Sequence, residues 1–139
     1  MTKPNKVMRE KVLLFLKEQD VKTILDFGCG KFLRDAVFLA EQGFVVDAVD
    51  LEEQVQRVSF EKSKLIHSLS IKIPNNNYDA AMLNFIIQVL PTEEQRQEVL
   101  GRIYDTIKDE GYLVLSLRTL NDINRIKVRG EEYHLMMVL

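Results

Sequence analysis

The run Ile24-Leu25-Asp26-Phe27-Gly28-Cys29-Gly30, followed by Val46-Asp47-Ala48-Val49-Asp50, decides how this chain is read. Its first half is a short apolar strand, Thr23 to Phe27, stopped by two glycines. Leu33, Ala36, Val37 and Ala40 then recur at i, i+3, i+4 and i+7, the spacing of a helix face, and the pattern ends before Gly43. Phe44 to Asp50 is β-branched and apolar, a buried strand that finishes on a carboxylate. Strand, glycine turn, helix and strand make a crossover unit, the connection that parallel strands require.

The flanking sequence extends the same alternation. Upstream, Met8, Val12, Phe15 and Leu16 predict an amphipathic helix over residues 5–19. Downstream, residues 52–63 read as a poor helix or helical turn, Lys64 to Leu69 as a third strand, and Pro74-Asn75-Asn76-Asn77 as a turn. Tyr78 to Phe85 is a fourth strand, apolar on both faces. Thr92 with Gln95 three residues later forms a capping box. The helix it opens carries Leu100, Ile103, Tyr104 and Ile107 on one face and is expected to stop near Gly111. A fifth strand follows from Tyr112 to Leu117, and Tyr133 to Leu139 can make one last strand. Apolar strands separated by helices predict an α/β fold: a doubly wound, mostly parallel sheet with helices on both faces, in a single domain over 1–139.

Composition narrows the class. The 139 residues carry 19 Lys and Arg against 21 Asp and Glu, a formal charge of −2, which excludes a polybasic nucleic-acid wrapper or an acidic tail. The cluster Arg118, Arg125, Lys127 and Arg129 is interleaved with Asp122, Glu131 and Glu132, so it reads as a solvated face rather than an RNA track. No apolar run approaches the ~18 residues of a membrane helix, and the polar, Lys-rich start does not resemble a signal peptide. A cytoplasmic location is the expectation. The single cysteine, Cys29, allows neither an intrachain disulfide nor a zinc cluster, and no metal site is expected. Without a base beside it, Cys29 reads as a packed thiol. His67 and His134 read as ordinary packing residues.

In an open parallel sheet, ligands bind outside the carboxyl ends of the strands, where the strand order reverses. The two glycines Gly28 and Gly30 allow positive φ and close backbone approach there, and the helix start is expected to offer free N–H groups. Asp50, about 20 residues further on, is placed to accept hydrogen bonds from the hydroxyls of a ribose. The pair reads as a nucleoside site.

These two segments resemble motifs I and II of the class I S-adenosylmethionine-dependent methyltransferases. Tyr78-Asp79-Ala80-Ala81-Met82-Leu83-Asn84-Phe85 resembles the family's fourth strand, and Glu110-Gly111-Tyr112-Leu113-Val114-Leu115 its glycine-led fifth strand. The resemblance covers residues 20–118. The join Leu39-Ala40-Glu41-Gln42-Gly43-Phe44 is most similar to small-molecule and tellurite-resistance-type members. It implies S-adenosyl-L-methionine as cofactor, with Asp26 and the Gly28 and Gly30 backbone holding the methionine half and Asp50 the ribose. Leu51, Ser68 and Leu69 would flank the adenine, and Asn84 and Phe85 would face the sulfonium and the acceptor, a small molecule. No catalytic acid or base is implied.

Three departures accompany the resemblance. The third motif-I glycine falls at Phe32, after Lys31. Leu83-Asn84-Phe85-Ile86 lacks the Asp-Pro-Pro-Tyr type tetrad of amino-directed DNA methyltransferases. The family's last helix and most of its strands 6 and 7 are expected to be missing. Two other readings stay open: a catalytically inactive cofactor-binding or partner-binding module, forming a homodimer through an exposed sheet edge, and a nicotinamide-dinucleotide enzyme, which the absent third glycine disfavours.

Overall fold

The computed structural model describes residues 4, 6, 8–84, 90–118 and 132–138, with backbone alone for 117–118 and 132–138. A π-helical turn, Met8–Val12, leads into α1, Leu13–Glu18. There follow β1 (Thr23–Phe27), α2 (Arg34–Glu41), β2 (Val45–Val49), α3 (Glu52–Val55), α4 (Phe60–Ser63) and β3 (Ser68–Ser70). The described chain continues with β4 (Tyr78–Asn84), α5 (Glu93–Thr106), β5 (Ile107–Arg118) and β6 (Glu132–Val138).

The strands form one sheet in the order β3-β2-β1-β4-β5-β6, all parallel except β6, which pairs antiparallel with β5. The doubly wound topology is as expected, and the order reverses between β1 and β4. Alternation along the strands sends side chains to two cores. One face buries Ile24, Val46, Ala48, Ala80 and Met82 against Val12 and Leu16 of the first helix and Leu33, Ala36 and Leu39 around α2. The other buries Leu25, Val49, Ala81, Leu83 and Leu113 against Ile103 of α5.

Several boundaries differ from the sequence reading, each for a local reason. The third strand begins at Ser68, not Lys64, because Lys64 and Leu65 still close the turns of α4 through bonds to Phe60 and Lys62 carbonyls. The capping box at Thr92 and Gln95 forms as expected. The helix it opens ends at Thr106, well before Gly111, so Ile107 belongs to a strand and Tyr104 is exposed. Gly111 lies inside β5, beside an irregularity in the β4–β5 register. A β-carbon there would meet the Ile107 side chain and stand 2.9 Å from the Lys108 carbonyl and 3.0 Å from that of Asp79, so the position is closed to larger residues.

Two carboxylates fix the strands against one another. Asp47 is buried in β2 and accepts from Ser68 Oγ at 2.6 Å and Tyr78 OH at 2.6 Å, with His67 Nδ1 2.7 Å away. It thereby joins β2, β3 and β4. Asp79 accepts the Lys22 and Thr23 N–H groups at 2.8 and 3.1 Å, donates its own N–H to Thr23 Oγ1, and pairs with Lys108 at 2.7 Å. It ties the starts of β1, β4 and β5 at the end of the sheet opposite the glycine loop.

Candidate functional site: a glycine loop over an acidic crevice

The loop after β1 sits at the switch point, where β1 and β4 part company to opposite sides of the sheet. Gly28 has φ 82° and Gly30 φ 72°, left-handed values that explain both glycines. The next left-handed residue is Leu33, with φ 50°, whose side chain is fully buried as it enters α2. Its burial in the core compensates a backbone conformation that glycine would hold more easily.

The amides of this loop are already committed. Gly28 and Cys29 N–H both donate to the Val49 carbonyl, at 2.7 and 3.1 Å, and Gly30 N–H donates to Asp50 Oδ2 at 2.7 Å. Among the described residues, these three loop amides bind the end of β2, whereas the start of α2 has no side-chain cap and its first amide bond is Val37 N–H to the Leu33 carbonyl, as expected of an open helix start. Asp50 Oδ1 takes the Leu51 N–H at 2.7 Å. Each Asp50 oxygen thus holds one bond and keeps acceptor capacity for a hydroxyl.

A cavity of about 200 Å³ opens here, lined by Gly28, Cys29, Gly30, Lys31, Phe32, Arg34, Asp35 and Asn84. Asp35, at the first turn of α2, holds the walls together. It accepts from Arg34 Nε at 3.1 Å and from Asn84 Nδ2 at 2.8 Å, and Asn84 Oδ1 accepts from Ser116 Oγ at 2.7 Å. Phe32 does not fill the crevice. Its ring is half exposed as an outer wall, with Lys31 and Lys62 ammonium groups 5.0 and 5.5 Å from its centre. A second cavity of about 500 Å³ runs down one side of α2 and shares Phe32 and Arg34 with the first.

Asp26 stands at the end of β1, beneath the crevice rather than in its lining. It is 2% exposed, and while its backbone pairs in the sheet its carboxyl has no hydrogen-bond partner among the described residues. Burial first, then Asp35 and Asp50, push its carboxyl up to about 8, with Arg34 opposing. Burial and the same field of Asp26 and Asp50 push the Cys29 thiol up as well, so it stays protonated. The site is negative, and its nearest amides are occupied. The acids favour a positively charged group at this end of the crevice.

The sequence-predicted residues divide accordingly. Asp26, Gly28, Gly30, Asp50 and Asn84 come together around the crevice, and Leu51 stands exposed beside Asp50. Ser68 does not join them, since its hydroxyl is bound to Asp47, and Leu69 packs on the core. Phe85 lies outside the described residues. Sequence reasoning missed Asp35, Arg34 and Ser116. The available signal was a carboxylate one turn past the glycines and a Ser on the apolar strand β5.

Among the described residues no helix is long and apolar enough to cross a membrane, and no three His, Cys, Asp or Glu side chains are placed to hold a metal. Comparison with known proteins agrees with the architecture. A protein of Geobacillus sp. (strain WCH70) with a methyltransferase name is 27% identical over 122 residues, covering 78% of this chain. This chain spans only 47% of that relative's length. Among solved structures, a TehB-like SAM-dependent methyltransferase from Corynebacterium glutamicum superposes with a TM-score of 0.61 at 18% identity, over 81% of this chain and 67% of its own. The 1,6-didemethyltoxoflavin-N1-methyltransferase of Burkholderia thailandensis, solved with 1,6-didemethyltoxoflavin and S-adenosylhomocysteine, gives 0.61 at 21% identity over 80% of this chain and 52% of its own. A family profile described as a methyltransferase domain matches residues 3–137, and on that span the chain belongs to the methyltransferase domain family.

Proposed function

We propose that this domain binds S-adenosylmethionine in the crevice after β1 and directs its methyl group to a small-molecule acceptor. The observation that carries the reading is Asp26, a buried carboxyl with no hydrogen-bond partner among the described residues, beneath a crevice whose neighbouring acids, Asp35 and Asp50, also call for a cation. The donor supplies a methyl group already activated by positive sulfur, together with an ammonium and a ribose.

The chain's own residues then have separable roles. Asp26 and Asp35 favour the positively charged end, Gly28 and Gly30 let the backbone approach without a β-carbon, and Asp50 takes the ribose hydroxyls. Asn84, held at both ends by Asp35 and Ser116, presents a fixed wall beside the crevice. An in-line displacement at an activated methyl needs alignment and exclusion of water more than an acid or base, so the lack of an assigned dyad fits. The small-molecule acceptor is supported by the Burkholderia neighbour, which carries one.

Calorimetric titration with S-adenosylhomocysteine and with NAD tests the donor. Micromolar binding of the first and none of the second is expected, and the reverse overturns the reading. Transfer of labelled methyl from S-adenosylmethionine to a metabolite pool tests the reaction. Tight binding with no transfer to any pool supports the cofactor-binding module instead.

A further inference from the structure

Three acids, Asp26, Asp35 and Asp50, gather at the crevice, and of the two cations in its lining Lys31 stands over the outer Phe32 ring while Arg34 acts on Asp26. The groups facing Asp26 are Arg34 and Asp35 from α2, Asp50 from the end of β2 and the Cys29 thiol from the loop, with the neutral amide of Asn84 on β4 next to Asp35. Arg34 is the single cation among these described groups, and its guanidinium already lies on Asp35 through Nε at 3.1 Å and Nη2 at 3.4 Å. An ionised Asp26 in the free protein would be a buried negative charge beside two others, with no hydrogen bond from a described residue to compensate its lost hydration.

We propose that the crevice exchanges a proton for its ligand's positive charge: Asp26 is stored as the neutral carboxylic acid and gives up its proton when an ammonium-bearing nucleoside enters. The inference rests on the donor reading above and adds a selection rule to it. In balance, the carboxylic acid plus the ligand's ammonium yields a carboxylate–ammonium pair and one proton released to the buffer; the ligand's own α-carboxylate stays ionised throughout, and no bond in the ligand changes. A nucleoside without the amine brings no charge, so Asp26 keeps its proton and binding is indifferent to pH. The affinity for the ammonium ligand rises with pH, by up to about tenfold per unit, and levels off where the free protein's Asp26 is already ionised.

The test is calorimetry on the full chain with two probes, S-adenosylhomocysteine, which carries the amine together with an α-carboxylate, and 5′-methylthioadenosine, which carries neither, so that Asp26→Asn assigns the proton to the pair formed with the amine. Titrations are run at about pH 6.5, below the ~7.7–8.0 range in which α-amino groups titrate, in buffers of different ionisation enthalpy. The expected result is about one proton released with S-adenosylhomocysteine and none with 5′-methylthioadenosine. Asp26→Asn abolishes the release. Should that variant fail to fold, Asp35→Asn removes a like charge and frees Arg34 to pair with Asp26, so fewer protons are released and the pH dependence moves to lower pH. Binding of S-adenosylhomocysteine with the same heat in every buffer overturns the exchange and leaves the donor reading standing. Equal release with both probes also overturns it. Absence of binding by either probe overturns both.

Discussion

Asp50 uses one oxygen for Gly30 N–H and the other for Leu51 N–H, so it orders the loop and the mouth of the crevice together. Asp50→Ala removes two charge-assisted bonds and, in the proposed complex, the ribose acceptors. Charged hydrogen bonds are worth roughly 1.5–3 kcal/mol each, so S-adenosylhomocysteine affinity should fall at least about tenfold by calorimetry. Unchanged affinity would show that the ribose lies elsewhere. Cys29 reports the same field from a different atom. Its thiol, raised by burial, Asp26 and Asp50, should alkylate with iodoacetamide more slowly at mildly alkaline pH than a free cysteine, and Asp50→Asn should speed it, read by mass spectrometry. At this scale the sequence was partly legible. Asp26, Gly28, Gly30 and Asp50 announce themselves because each sits at a strand end next to a break in the pattern. Asp35 and Ser116 were hidden, because their meaning depends on which way a helix turn faces and on which strand pairs with β4.

Among the elements, α5 and β5 separate what capping chemistry dictates from what tertiary packing decides. The Thr92 and Gln95 box is local, and the helix start is where local rules place it. The helix end is not local. Ile107 is drawn out of the helix to pair with Tyr78, and Gly111 stands where three neighbouring groups leave no room for a β-carbon. Gly111→Ala should therefore cost on the order of 1–3 kcal/mol through overpacking. Gly101, an exposed position of α5 where an added methyl would meet nothing within 4 Å, is the matched control. Gly101→Ala should gain up to about 1 kcal/mol from helix propensity. Denaturant melts of the two variants should move in opposite directions. The third strand shows the same division: Leu69 is visible in the sequence, but the strand starts only after Lys64 and Leu65 close α4, and its Ser68 is held by Asp47, whose partners come from residues 67–68 and from Tyr78.

For the whole molecule, two buried acids give stability opposite pH slopes. Burial raises the Asp47 carboxyl, but bonds from Ser68, Tyr78 and His67 outweigh it and hold it below the ordinary range. The unfolded chain then binds the proton first, so Asp47 stabilises fully above the ordinary aspartate range and loses that effect as pH falls through its folded value. Asp26 works the other way. Its folded carboxyl is raised to about 8, so the native state binds the extra proton between the unfolded value and that point. The stability it lends is complete in acid and is lost as pH rises toward about 8. Thermal midpoints should decline across that interval in the free protein, and Asp26→Asn should flatten the decline.

Asp79 gives the molecule a further property. By binding Lys22, Thr23 and Lys108 together it rivets three inner strands at the end of the sheet opposite the glycines, as the spine of a book holds its pages. Hydrogen exchange should find the Lys22 and Thr23 amides slow, and Asp79→Ala should speed both. The fore-edge, with the glycine turn, is then the side by which the nucleoside of the proposed complex would enter.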